Sequence, residues 1–257
     1  MRETSPRIPP PIGDHIFYYN QHDAIAEFAA GKQWKFADIR PDAIIGFVPN
    51  NNPMNLAQPI ALYLSMWRSL NPSKPVPFPG TQASYAHLHS DCSQDQAAKT
   101  HIWVSLHPEK TAGGSFNTAD SDSGNSWSEV WPGICNLFGL EAAGPPAADE
   151  IAGEVWVMQQ RDVWDRWETE HGLIPGVVRN TAWSFLTVVA SVSLHFLDAQ
   201  KDVREADGMV RGDYAVFDRQ LDISLLRGLG FNDEVDHVEG YYTAFARMRD
   251  AKMIPGI

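Results

Sequence analysis

The sequence predicts an α/β fold, because one helical pattern is followed directly by two strand patterns. Apolar residues recur at helical spacing from Ile16, and Gly31 stands where a glycine commonly ends a helix. Apolar and polar residues then alternate over residues 34–39, and a second apolar run covers residues 43–47. Arg40-Pro41 lies between the two runs and is expected to break the strand. A helix that leads into two strands is typical of the end of a βα sheet.

Helical patterns dominate the rest of the chain. We predict helices over residues 54–70 and 126–137, an extended segment over residues 85–89, and a loop at Gly144-Pro145-Pro146. The longest apolar run, over residues 182–197, is interrupted by polar side chains. It is also shorter than the ~20 apolar residues that a membrane-spanning helix needs. We interpret this run as a buried helix.

Charge and composition favour a small-molecule partner. The 257 residues are 44% hydrophobic and carry a formal net charge of −12. Nucleic acid and anionic membrane surfaces attract basic proteins, so the acidic chain is predicted to bind neither. Cys92, Cys135 and a polar, proline-rich start without a leader pattern predict a reducing, cytoplasmic location. The sequence leaves a homodimer open.

Separated motifs match one protein family in order along nearly the whole chain. Pro6-Arg7-Ile8 is followed by Phe17-Tyr18-Tyr19, and Arg40-Pro41 opens a stretch that ends in Gly46-Phe47. The series continues with Met54-Asn55-Leu56, Phe78-Pro79-Gly80, Ser90-Asp91-Cys92-Ser93, His101-Ile102-Trp103, Phe116-Asn117, Leu229-Gly230-Phe231 and Ile254-Pro255. This ordered set resembles the progesterone 5β-reductase and iridoid synthase-like (PRISE) family of extended short-chain dehydrogenases/reductases.

The resemblance implies an α/β fold that is the C-terminal part of a Rossmann-like extended short-chain enzyme. Residues 1–53 would be the remainder of the Rossmann-like domain, with the catalytic tyrosine helix and the strands after it. Residues 54–257 would be a mainly helical substrate-binding cap, interleaved with the last sheet elements. The implied activity is NADPH-dependent reduction of the carbon–carbon double bond of an activated enone.

The sequence departs from the family at the cofactor's phosphate end. No glycine-rich turn that opens a helix after a strand occurs in it, and the family's catalytic lysine comes from a segment before the tyrosine helix. We therefore expect this chain alone to bind NADPH weakly or not at all. Whether the chain by itself is an enzyme stays open at this point.

Tyr18 matches the family's catalytic tyrosine. A positioned phenol can donate a proton to a developing enolate or alkoxide oxygen. Lys32 is too far along the helix to assist it, since fourteen residues rise about 21 Å. His22 lies one turn after Tyr18 on the same face, and we interpret it as a solvated surface histidine.

Four further residues match binding positions of the family. Pro41 and Ile44 would contact the nicotinamide end of the cofactor, and Met54 and Phe185 would line the substrate pocket. From the residues alone, a strand bend at the proline and ordinary core packing of Met54 and Phe185 are the competing interpretations.

Two patterns suggest metal sites, and we predict that neither binds a metal. His87, His89, Cys92 and His101 resemble a zinc-ligand set, but they fall within motifs of a family that carries no metal there. The stretch that begins at Asp120 resembles a calcium loop, but it lacks the glutamate at the twelfth position.

Two other functions remain open beside the reductase. One is a non-catalytic remnant or small-molecule binding module that holds no cofactor. The other is an epimerase or dehydratase of the same extended superfamily, which nucleotide-sugar substrates would favour.

Overall fold

The computed structural model describes residues 1–11, 13–49, 55–146, 153–181, 183 and 218–256. A short 3-10 turn, Gly13–His15, precedes the first α-helix. The helices are α1 (Phe17–Ala29), α2 (Ala57–Leu70), α3 (Gln82–Ala86), α4 (Gln94–Leu106), α5 (Pro108–Thr111), α6 (Trp127–Asn136), α7 (Gly153–Gln159), α8 (Arg161–Glu170), α9 (Val177–Asn180), α10 (Ser224–Leu229) and α11 (His237–Asp250). The strands are β1 (Asp38–Pro41), β2 (Ala43–Ile45), β3 (Val76–Pro77), β4 (Leu88–His89), β5 (Asp91–Ser93), β6 (Ser115–Thr118), β7 (Asn125–Ser126) and β8 (Ala142–Ala143).

The strands form short pairs, most of them parallel. β1 pairs with β6 in the register Asp38↔Ser115, and β2 pairs with β5 in the register Ala43↔Asp91. β3 and β8 are also parallel, whereas β4 and β7 are antiparallel. Parallel pairing needs a crossover connection. Helices α2 and α3 lie in the connection from β2 to β5, and the longer connection from β1 to β6 also includes α4 and α5. The α/β class predicted from the sequence is confirmed.

The region between α1 and α2 differs in detail from the prediction. β1 begins at Asp38 rather than at residue 34, and it includes Arg40-Pro41, where we predicted a break. Pro41 is tolerated because it ends the strand, opposite Thr118, where a missing N–H costs the ladder little. The second predicted strand is confirmed but ends at Ile45.

The predicted helices over residues 54–70 and 126–137 are confirmed as α2 and α6, with bounds shifted by a few residues. Pro59 lies in the first turn of α2, where its missing N–H has no intrahelical acceptor in any case. The extended segment predicted over residues 85–89 is wrong in its first part. Thr81 and Ser84 form a capping box that begins α3, so the chain is helical to Ala86 before β4.

The hydrophobic core lies around α2, which is buried on nearly all sides. Leu56, Ile60 and Leu64 are among the fully buried residues at this helix, and Trp131 of α6 and Phe245 of α11 pack into the same cluster. A helix enclosed in this way depends on tertiary packing more than on its own propensity. A second, smaller cluster of Val104, Phe116, Leu226 and Phe231 joins α4, β6 and α10.

No helix within the described ranges is both long enough and apolar enough to cross a membrane. The buried helix predicted over residues 182–197 lies, apart from Trp183, outside the described residues. The boundary between residues 53 and 54 also stays a prediction.

Helix α1 leaves most of its apolar side chains uncovered. Ala29 is its buried residue, whereas the side chains of Phe17, Ile25 and Phe28 are exposed. The helical periodicity that predicted α1 is therefore correct, but its apolar face does not pack on the described part of the chain. An exposed apolar face of this kind favours association.

We predict that the chain self-associates through α1 and that Phe28→Glu shifts it toward the monomer. Phe28 is 71% exposed, so the substitution removes apolar surface without opening a cavity. Sedimentation velocity on the parent and the variant measures the shift. Leu106→Glu on α4 is the matched control, because Leu106 is also 71% exposed. A monomeric parent, or a shift caused by Leu106→Glu alone, would contradict the prediction.

Candidate functional site

The two adjacent tyrosines at the start of α1 have different environments. Tyr19 is fixed, because its hydroxyl accepts the Ile8 N–H at 3.1 Å and the guanidinium of Arg7 lies over its ring. Tyr18 is 57% exposed, and its ring lies against that of Phe17 with centroids 4.0 Å apart. Among the described residues, the Tyr18 hydroxyl has no hydrogen-bond partner. The Tyr18 hydroxyl is therefore free to move to a ligand, whereas the Tyr19 oxygen is held at the Ile8 N–H.

His22, one helical turn after Tyr18 on the same face of α1, contacts β1. Its Nδ1 lies 3.4 Å from Oδ2 of Asp38, and its ring meets that of Phe36 edge-on. Arg40 holds the same carboxylate through Nε at 2.7 Å. The interpretation of His22 as a solvated surface side chain is wrong, because the side chain is half-buried between α1 and β1.

Pro41 ends β1 and Ile44 is the middle residue of β2, and Asp42 alone connects the two strands. We call residues 40–44 the β1–β2 turn. Ala43 and Ile45 are buried, whereas the intervening Ile44 is 43% exposed. Alternate residues of a strand point to opposite faces, so Ile44 projects away from the core. The structure therefore presents an apolar side chain on the open face of the turn. The cofactor role of Pro41 and Ile44 stays a prediction.

The chain after β2 is drawn close to the start of α4. Gln94 accepts the Phe47 N–H through Oε1 at 2.9 Å. A Cβ atom on Gly46 would lie 2.7 Å from that same oxygen, so the close approach requires glycine. This contact gives a physical reason for the Gly46-Phe47 motif.

Met54 and Phe185, the predicted pocket residues, lie outside the described residues. Their role stays a prediction. The histidines of the zinc-like pattern lie in separate surroundings: His87 pairs with Asp218, and His101 bonds the Ala97 carbonyl of its own helix. Within the described ranges, no three His, Cys, Asp or Glu side chains are placed to hold a metal ion.

Beneath β2 lies a buried polar cluster that the sequence analysis did not identify as a site, formed by His89, Asp91, Asp120, Asn125 and Tyr241. Asp91 Oδ2 accepts from Asn125 Nδ2 at 3.0 Å, and Oδ1 lies 3.5 Å from both His89 Nε2 and the Tyr241 hydroxyl. Burial raises the pKa of the Asp91 carboxyl, but His89 and the bond from Asn125 outweigh it, so the pKa lies below its usual range. Asp91 is thus the charged member of the cluster.

Asp120 behaves in the opposite way. Its Oδ1 accepts the Ser93 N–H at 2.7 Å, while Oδ2 is buried without a hydrogen-bond partner in the described part of the chain. Burial raises the pKa of Asp120 to about 7, the bond from Ser93 partly opposes the rise, and the charge of Asp91 adds to it. The two buried carboxyls therefore differ in their protonation at neutral pH.

We predict that the parent loses stability as pH rises through about 7 and that Asp120→Asn does not show this loss. The folded-state pKa of about 7 lies above the ordinary value of 3.8, so the stabilising proton is fully bound below about pH 4 and is lost as pH rises through about 7. Asparagine cannot ionise. At about pH 8, the free energy of unfolding of Asp120→Asn should therefore exceed that of the parent by on the order of 2 to 4 kcal/mol, relative to their difference at low pH.

Thermal unfolding at about pH 5 and about pH 8 measures this difference. Asp162→Asn is the control. The Asp162 side chain is 84% exposed, so this substitution removes the same charge from the surface instead of from the interior. An equal pH dependence in the parent and in Asp120→Asn would show that Asp120 does not titrate in this range.

Parallel strand pairs flanked by helices, with a tyrosine-bearing helix just before β1, define an α/β protein of the Rossmann-like class. The chain belongs to the PRISE-like Rossmann-fold domain family, whose family model matches residues 1–206. The family resemblance inferred from the motifs is therefore confirmed.

Relatives match over almost the whole chain. It is 34% identical to the short chain dehydrogenase ausT of Aspergillus calidoustus, with 99% of this chain and 57% of the relative covered. It is 24% identical to the (S)-8-oxocitronellyl enol synthase of Antirrhinum majus, with 96% of this chain and 57% of that enzyme covered. The chain thus spans a little over half the length of both relatives.

Among solved structures, the chain is similar to a UDP-glucose 4-epimerase of Thermotoga maritima. The TM-score is 0.38 and the identity 19%, over 58% of this chain and 45% of the epimerase chain.

Proposed function

We propose that this chain supplies the proton-donating tyrosine, part of the nicotinamide contact and the substrate pocket of an NADPH-dependent short-chain oxidoreductase. Its substrate would be a small molecule with an activated carbon–carbon double bond, such as an enone. The family membership and the names of the relatives support the reaction class. The observation that carries the proposal is the exposed Tyr18 hydroxyl on α1, which has no hydrogen-bond partner among the described residues.

A proton donor must be able to reach its acceptor, and the two tyrosines differ in this respect. The Ile8 N–H holds the Tyr19 oxygen at the N-terminal segment. The Tyr19 phenol keeps its own proton, but moving the side chain to a substrate would break that bond. Tyr18 forms no such bond and stands exposed beside Phe17. The helix face that bears Tyr18 also bears His22, whose contact with Asp38 turns that face toward β1.

The described residues fit the nicotinamide end of the cofactor. Ile44 offers an exposed apolar side chain, and Pro41, three residues before it, offers a backbone whose φ is fixed by the ring. Those two residues would hold the ring, which supplies the hydride when the cofactor is bound. The pyrophosphate does not fit this sequence, because none of its 19 glycines forms a Gly-x-Gly-x-x-Gly or Gly-x-x-Gly-x-x-Gly motif. A part of the protein beyond these residues would have to hold the phosphates.

Proton donation by Tyr18 would act on the oxygen of the substrate. Reduction of an enone builds negative charge on the carbonyl oxygen, and a phenol that donates a hydrogen bond stabilises that charge in the transition state. Tyr18 would then transfer its proton to the enolate and draw a replacement from solvent, to which its exposed ring has access.

We predict that Tyr18→Phe lowers turnover on the order of 10²- to 10³-fold, the usual effect of losing one such donor. Because the chain covers 57% of ausT, the test uses a fusion in which a nucleotide-binding part of that relative is joined ahead of Met1. The junction keeps Met1 in place, since its carbonyl oxygen accepts bonds from Asp222 N and Asn117 Nδ2. NADPH absorbance with an enone substrate gives the rate.

Tyr19→Phe is the control, because it removes a hydroxyl that bonds the backbone. It should cost stability of about 1 kcal/mol and leave the rate of the folded protein nearly unchanged. Equal rates for Tyr18→Phe and the parent fusion, or a selective loss in Tyr19→Phe, would exclude Tyr18 from the reaction.

A further inference from the structure

A short segment far along the chain, residues 218–222, lies beside β4 and β5. The Arg219 N–H donates to the Leu88 carbonyl at 2.9 Å, and the Leu88 N–H donates to Asp218 Oδ1 at 2.9 Å. The Leu221 N–H donates to Ser90 Oγ at 3.0 Å. The segment is therefore bonded to the chain on both sides of His89.

Ser90 connects this segment to the β1–β2 turn. It is buried, and each of its polar groups has a partner. Its N–H donates to Asp42 Oδ2 at 3.3 Å, and its carbonyl oxygen accepts the Ala43 N–H at 3.4 Å. Its third polar group, the hydroxyl, accepts the Leu221 N–H. One serine thus touches the turn through its backbone and the segment through its side chain.

Arg219 also connects the segment to the β1–β2 turn, through its side chain. Its Nε donates to Asp42 Oδ2 at 2.9 Å, and the exposed fractions of the two side chains are 25% and 18%. Charge-assisted bonds of this kind are stronger and better oriented than neutral ones, and partial burial protects this one from screening by salt. Asp42 therefore receives two donors, Arg219 Nε and Ser90 N, at one oxygen. The middle residue of the turn is fixed.

We propose that Arg219 is a positioning residue that holds the β1–β2 turn in the conformation that presents Pro41 and Ile44 to the nicotinamide ring. This inference rests on the proposed function of the turn. Arg219 acts through Asp42 and touches neither reactant. Its bond sets the direction of the turn between two strands that are too short to hold it by their ladders alone.

Two measurements on variants test the role of Arg219. In this chain, Arg219→Gln should speed amide exchange of residues 43–45 about tenfold, while residues 241–248 of α11 keep their protection. In the ausT fusion, the same substitution should raise KM for NADPH several-fold and leave kcat within about twofold. Arg219→Lys, which keeps the charge and a donor, should recover most of both effects.

Asp42→Asn should have at least the effect of Arg219→Gln, because it weakens the bond from Ser90 N as well as the one from Arg219. The double variant should be no worse than Asp42→Asn alone, because the two substitutions share the Arg219 bond. Arg2→Gln is the matched control. Arg2 pairs with Asp222 of the same segment and carries the same charge, but that pair does not involve Asp42.

Unchanged exchange at residues 43–45 in Arg219→Gln, or an equal loss of protection in α11, would overturn the positioning role. The exchange measurement needs no cofactor. It therefore reports on the turn even if the fusion proves inactive or Tyr18→Phe has no effect, which would refute the proposed function instead.

Discussion

The candidate site depends on hydrogen bonds that buried polar side chains make around two very short strands. β2 and β5 pair over three residues each, so their ladder supplies few bonds. Asp42, Ser90 and Asp91 supply the others, and each has its partners within the fold. A buried polar group without a partner costs about 1–3 kcal/mol, more than the roughly 0.5–1.5 kcal/mol that one such bond contributes. These side chains therefore fix one geometry for the turn.

That geometry separates a packed face from an open face. Ala43 and Ile45 point into the core around α2, which anchors the strand, whereas Ile44 points outward. Helix α1 precedes β1 and makes contact with it through His22 and Asp38. The tyrosine and the turn are thus carried by consecutive elements, and the apolar surface of α1 is left exposed. Both Ile44 and the Tyr18 side chain are therefore accessible from outside the described part of the chain.

Local patterns in the sequence predict the elements well where the signal is strong. The periodicity of α1, α2 and α6 places these helices within a few residues. β1 and α3 were misplaced, because pairing with β6 decides where β1 begins and a Thr81–Ser84 capping box decides that residues 82–86 are helical. The environment of Tyr18 could not be predicted, since two adjacent tyrosines look alike until the bond to Ile8 is seen. The bond between Asp42 and Arg219 spans 177 positions and leaves no local trace.

The central claim is that Tyr18 meets the substrate oxygen beside the β1–β2 turn. A crystal structure of the ausT fusion with NADP⁺ and an enone bound tests it most directly. The account predicts the Tyr18 hydroxyl at about 2.6–3.2 Å from the carbonyl oxygen, with Ile44 against the nicotinamide ring. A carbonyl oxygen held by another donor, with Tyr18 still in solvent, would contradict it.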